Sequence, residues 1–140
     1  MGRKGDWNAI VGRARALCIE ASVVVNHNAL KSRYDNPNNP TQAWLLARHL
    51  ELRDGASLTV TVRYEWTGNS WVSGDYAFHY QRPDGWFFRY DRDAGARAMN
   101  CHETCHLHVD SKSPRFITHE IAFEDVLAFV DGCLPATATA

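Results

Sequence analysis

The sequence predicts an α+β domain, an antiparallel meander sheet with an N-terminal and a C-terminal helix packed on one face. Two observations carry this. Apolar residues near both ends recur at spacings of three and four, whereas the stretch between them alternates with a period of two. Turn sequences rich in Gly, Pro, Asn and Asp then cut that middle stretch into pieces of strand length. The length agrees: 140 residues make a single domain, placed at residues 1–134, followed by a flexible tail at 135–140.

The elements follow in order. Trp7, Ile10, Val11, Ala14 and Leu17 predict a helix over residues 7–17, with Asp6 as its N-cap. The Val-rich stretch 19–29 predicts a strand, and residues 36–40 (Asn-Pro-Asn-Asn-Pro) a loop. Residues 44–52 alternate and run into Arg53-Asp54-Gly55-Ala56, a hairpin turn. In the next strand Leu58, Val60, Val62, Tyr64 and Trp66 point one way, and Thr59, Thr61, Arg63 and Glu65 the other.

Gly68-Asn69-Ser70 turns the chain into a strand over 75–82, with Tyr76, Phe78 and Tyr80 opposed to Asp75, His79 and Gln81. Pro83-Asp84-Gly85 makes the next tight turn. Residues 86–91 return, with Trp86, Phe88 and Tyr90 alternating against Phe87, Arg89 and Asp91. Residues 93–99 have no period and predict a loop; 105–110 predict one more strand, ended by Pro114. Phe123, Val126, Leu127, Val130 and Leu134 predict the closing helix, with Glu124 and Asp125 in its first turn. The polar strand faces, carrying Glu65, His79 and Arg89 together with His106 and His108, fall on the side away from the helices or along a rim.

Composition narrows the class. With 45% hydrophobic and 22% charged residues the chain is neither disordered, collagen-like nor coiled coil. No apolar stretch approaches the ~20 residues of a membrane span, so no membrane is expected as a partner. Fifteen Lys and Arg against sixteen Asp and Glu give a net charge of −1, which neither announces nor excludes a nucleic-acid binder. Arg3, Lys4, Arg13 and Arg15 against the single acid Asp6 could touch an RNA backbone or simply form a solvated helix face. No apolar signal-peptide core follows the N-terminus, so free thiols and a cytoplasmic location are expected. Cys101 and Cys105 stand in Cys-His-Glu-Thr-Cys-His-Leu-His, one dense cluster without the second ligand pair of a structural zinc site. Phosphate-binding Gly-rich loops, nucleophile elbows and H-E-x-x-H helices are absent.

Chemistry gathers in three places. His106-Leu107-His108, read as a strand, puts two imidazoles on one face about 7 Å apart. That spacing suits two ligands of one metal, an acid and a base flanking a reacting atom, or two histidines without a role. Phe88-Arg89-Tyr90-Asp91 offers a guanidinium fork suited to phosphate and an aromatic ring suited to stacking; the plainer alternative is an Arg89–Asp91 pair on a solvent face. Glu65 and Arg63 share the polar face one hairpin earlier, where a structural ion pair is the competing reading.

A carboxylate, an arginine and histidines are the parts of a metal-independent ribonuclease. In that reading His106, His108, Arg89, Glu65 and Asp91 are catalytic, and Tyr90, His102 and His79 bind substrate, with no metal and no cofactor. A non-catalytic protein- or nucleic-acid-binding module, and a metal-dependent hydrolase built on His102, His106, His108 and a carboxylate, stand as alternatives.

From Asp54 onward the chain resembles the TumE-type toxins of prokaryotic toxin–antitoxin modules. The resemblance runs through Arg53-Asp54-Gly55, Tyr64-Glu65, the strand from Tyr76 to Tyr80, Phe88-Arg89-Tyr90-Asp91, His106-Leu107-His108 and the closing helix at 123–130. Arg-Tyr-Asp followed by His-x-His is its most specific part. It implies a cytoplasmic toxin neutralised by a cognate antitoxin, often a helix-turn-helix protein. RNA as substrate is an inference from the residues, and a homodimer is compatible with it. Where the family pattern has Asn, Pro and His shortly after Arg-Tyr-Asp, this chain has Arg92-Asp93-Ala94-Gly95-Ala96, so either His102 fills that place from a longer loop or the site is altered.

Overall fold

A computed structural model describes residues 2–21, 24–93, 105–111 and 115–133. Its sheet has seven antiparallel strands in strict sequence order, β1 (Lys31–Tyr34), β2 (Gln42–Glu51), β3 (Ser57–Trp66), β4 (Trp71–Gln81), β5 (Phe87–Arg92), β6 (Cys105–Val109) and β7 (Arg115–Ile117). Helices α1 (Arg3–Glu20) and α2 (Phe123–Cys133) cover one face. This is the expected α+β meander. Cys101, His102, Pro114, Leu134, the side chain of Cys133, most of the 93–99 loop and the 135–140 tail lie outside the described residues.

Trp7, Val11, Ala14 and Cys18 form the buried stripe of α1, spaced by four, three and four residues. Helix α1 is longer than the period alone suggests. It begins at Arg3, with Asp6 in its first turn rather than at the cap, where a carboxylate still meets the positive end of the helix dipole. It continues through Ile19 and Glu20, because Cys18 extends the buried stripe and the Ala21 amide closes on the Leu17 carbonyl. The strand expected over 19–29 is therefore overturned: α1 occupies its start, Val24 makes an isolated bridge to Leu52, and His27–Ala29 forms a 3-10 turn.

Trp7 anchors this helix on the sheet. Its ring meets Tyr64 edge-on at 5.2 Å and Trp71 at 5.4 Å between centroids, and the Trp71 Nε1–H donates to the Arg3 carbonyl at 2.8 Å. At the other end, α2 buries Phe123, Val126, Leu127 and Val130, and Phe123 stacks on Phe78. Asp125 reaches back to accept the Ala122 amide, one half of a capping box.

Both core strands β3 and β4 alternate as expected over Leu58–Val62 and Tyr76–Tyr80. Strand β4, however, starts at Trp71 rather than at residue 75. Between the pairs Val62–Tyr76 and Tyr64–Ser73, β4 carries one extra residue, a bulge at Gly74-Asp75. It lets Trp71 and Tyr76, five residues apart, both face the core, and that breaks the period that would have announced the strand. A Cβ at Gly74 would sit 3.3 Å from Arg63 Nη2, so a side chain there would press on the guanidinium that holds Glu65 and Asp75. The two edge strands, β1 and β7, were not expected. They have four and three residues, too few for alternation to register, and β1 carries Lys31 and Arg33 in the manner of a blunted edge.

Replacing Trp7 by Ala should cost about 3–5 kcal/mol of unfolding free energy, read by urea denaturation. A second expectation concerns pH. Burial pushes the Cys18 thiol up from 9.0 to about 11. The native chain keeps a proton there that the unfolded chain loses near pH 9, so this contribution to stability is complete below pH 9 and lost as pH rises through about 11. Across that window the urea midpoint of Cys18→Ala should fall less than that of the parent.

Candidate active site on the open face of the sheet

The helix-free face of the sheet is built in rows by its register. One row pairs Leu46, Thr61, Ala77, Asp91, His106 and Ile117; its neighbour pairs Thr59, His79, Arg89, His108 and Arg115. Paired residues of adjacent antiparallel strands point to the same face. Arg89 and Asp91, two apart on β5, therefore meet His108 and His106, two apart on β6. Thr61 and Ala77, both small, leave an open space beside Asp91. Together with Trp44, Arg63, Asp75, Arg89, Arg92 and His108 they surround a cleft of about 450 Å³.

Asp91 is the hub. Its Oδ1 accepts the Arg89 Nε–H at 2.7 Å, while its Oδ2 lies 3.3 Å from His106 Nε2 and 3.4 Å from His108 Nε2. The two imidazole rings stand perpendicular, 4.7 Å apart. His106 is 4% exposed, the most deeply buried polar residue among those described. A buried imidazole needs a polar partner, and Asp91 supplies one for both rings. Arg89 gives Asp91 one of its five donors, so its terminal NH₂ groups lie beyond that bond. The arrangement unites one carboxylate, one guanidinium and two imidazoles in a space open to a ligand.

A second network flanks the first. Arg63 pairs with Glu65 and, at 3.5 Å, with Asp75; Asp75 also meets Arg92, which in turn reaches Glu120. The Gly74-Asp75 bulge is what aims Asp75 at both arginines. Trp44 closes the far wall, with the Arg33 guanidinium over its ring at 4.7 Å. Tyr76, whose ring belongs to the core, touches the cleft from below; its hydroxyl accepts the Ile121 amide, and burial pushes its pKa up to about 12.

Of the residues singled out from the sequence, His106, His108, Arg89 and Asp91 are brought together here. Glu65 is not. It shares the open face but lies four residues along β3 from the Asp91 row, about 13 Å away along the strand, and it holds Arg63 instead. Tyr90 faces the opposite side of the sheet, edge-on to Phe88 beside Leu107 and Phe129. His79 lies in the Arg89 row outside the cleft lining, with Nε2 3.0 Å from Gln81 Oε1 and its ring stacked on Phe87. His102 falls outside the described residues. Trp44, Asp75 and Arg92 were missed. Alternation in β2 sets Trp44 against Ala43 and Leu45, a signal that was present but unused.

This geometry predicts the weight of the hub. Asp91→Ala leaves Arg89 and both imidazoles without their shared acceptor and should lower the unfolding free energy by about 1–3 kcal/mol in urea titrations. Asp91→Asn, which keeps an oxygen, should cost less.

Among the described residues no helix is long and apolar enough to cross a membrane. No curated protein and no solved structure matches the chain. A family model described as Toxin TumE matches residues 45–134, from early β2 to the end of α2, and so takes in Asp91, His106 and His108. That span is nearly two thirds of the chain, and it bears out the resemblance carried by Arg-Tyr-Asp and His-x-His: the chain belongs to the TumE toxin family and is the toxin component of a toxin–antitoxin module.

Proposed function

We propose that this toxin cleaves RNA without a metal ion, using His106, His108, Arg89 and Asp91. One observation carries the reading: a single carboxylate oxygen of Asp91 lies within 3.4 Å of both imidazoles, while its other oxygen holds Arg89. With Nε2–H of each ring turned to Asp91, Nδ1 becomes the basic nitrogen. One imidazole takes the proton from a ribose 2′-hydroxyl, and the freed oxygen attacks the adjacent phosphorus. The other, protonated, gives its proton to the departing 5′-oxygen, leaving a 2′,3′-cyclic phosphate. The Arg89 guanidinium stabilises the charge that builds on the non-bridging oxygens.

Glu65 serves this site at one remove, by orienting Arg63 on the cleft wall. Trp44 offers an aromatic surface on which a base can stack. The cognate antitoxin implied by the family is taken to be a helix-turn-helix protein, and RNA as substrate sets the activity in the cytoplasm.

Induced without its antitoxin, the parent chain should arrest growth of its host, and purified protein in excess chelator should yield RNA fragments ending in cyclic phosphate. His106→Ala and His108→Ala should each lose cleavage by about 10²–10⁴-fold and relieve the arrest. Full toxicity in both variants, or cleavage abolished by the chelator, would sink the reading.

A further inference from the structure

We infer that Asp91, His106 and His108 form a binding site for a divalent transition-metal ion, and that a metal bound there switches the toxin off. The binding part stands on geometry alone; the inhibitory part rests on the metal-free cleavage proposed above.

Asp91, His106 and His108 each offer a ligand atom, and these atoms lie within 4.8 Å of one another. The Oδ2–Nε2 separations are 3.3 and 3.4 Å. A tetrahedral ion with bonds of about 2.0–2.1 Å has ligand–ligand edges of about 3.3–3.4 Å, so two of the three edges are already at the length such an ion needs. The perpendicular rings let both nitrogens converge from different directions. Arg89 bonds the other carboxylate oxygen, which fixes the plane of the carboxylate and leaves Oδ2 as the ligand atom, as outer partners of metal sites commonly do. All three residues line the cleft, from which a water or substrate oxygen could complete the coordination.

Two imidazoles and one carboxylate suit zinc, cobalt, nickel, copper or ferrous ions; magnesium and calcium prefer all-oxygen sets. The Arg89 charge opposes any cation, so binding will be weaker than at a closed structural zinc site. A metal on both Nε2 atoms drives the ring protons onto Nδ1, reversing the tautomer that RNA cleavage uses. It also ties up the carboxylate that orients the rings. A toxin that is active without metal would thereby be silenced by a rise in free zinc.

The test titrates Co²⁺ into the chelator-treated full chain and follows its visible absorption. One equivalent should give saturable tetrahedral bands, displaced by Zn²⁺, and Zn²⁺ should slow RNA cleavage in step with occupancy. Asp91→Asn and His108→Gln should each weaken Co²⁺ binding at least roughly tenfold, whereas His119→Ala and Cys105→Ser should not. If Asp91→Asn fails to fold by circular dichroism, His108→Gln decides. No saturable spectrum, unchanged affinity in the variants, or a thiolate charge-transfer band lost in Cys105→Ser overturns the site. Zinc that stimulates cleavage, or leaves it unchanged at full occupancy, overturns the inhibition. Cobalt binding in a chain that cleaves no RNA would leave the metal site standing and remove the ribonuclease reading.

Discussion

Asp91 meets His106, and Arg89 meets His108, because β5 and β6 pair in one register. Side chains on a strand alternate, so a slip of one residue between these strands would set Leu107 opposite Asp91 and send both imidazoles to the helix side. The hydrophobic pattern guards against that. Phe88, Tyr90 and Leu107 occupy the other face of the same two strands, beside Phe129 and Val130 of α2, and a slip would expose them while burying charge. Packing on one side of the sheet thus holds the polar cluster on the other.

The charges of the open face work as coupled pairs rather than as a field. Arg63, Arg89 and Arg92 in the cleft each meet a carboxylate, and the chain as a whole is nearly neutral. Long-range attraction of a polyanion is accordingly weak. A phosphate entering here would have to compete with Asp75 and Asp91 for guanidinium donors. The partly buried pairs are worth most as positioning devices, since the desolvation of such ions offsets much of their attraction.

How much of this could be read beforehand differs by element. Strand β3, with five apolar residues in phase, and α2, with its stripe and acidic first turn, were plain. The end of α1 was not, because Val-rich residues after Cys18 resemble a strand, whereas the burial of Cys18 and the closure of the Ala21 amide on the Leu17 carbonyl carry the helix through Ile19 and Glu20. His106, His108, Arg89 and Asp91 were legible as a face, since alternation names the side on which each residue lies. Rows across strands are set by register, which one strand's sequence does not carry. Alternation therefore puts Glu65 on the open face, while its distance from the Asp91 row appears only in the register. Tyr90 is the opposite case: its chemistry suits a binding role, whereas its parity on β5 sends it to the helix side of the sheet.

The bulge at Gly74-Asp75 divides β4 into two segments whose inward positions are out of phase. One segment carries Trp71 into the aromatic cluster around Trp7, and the other carries Tyr76, Phe78 and Tyr80 into the core beneath the cleft. The two halves of the sheet are joined through this single extra residue as through a coupling sleeve. A one-residue deletion at the sleeve would propagate through the strand, inverting either the aromatic end or the wall that bears Asp75.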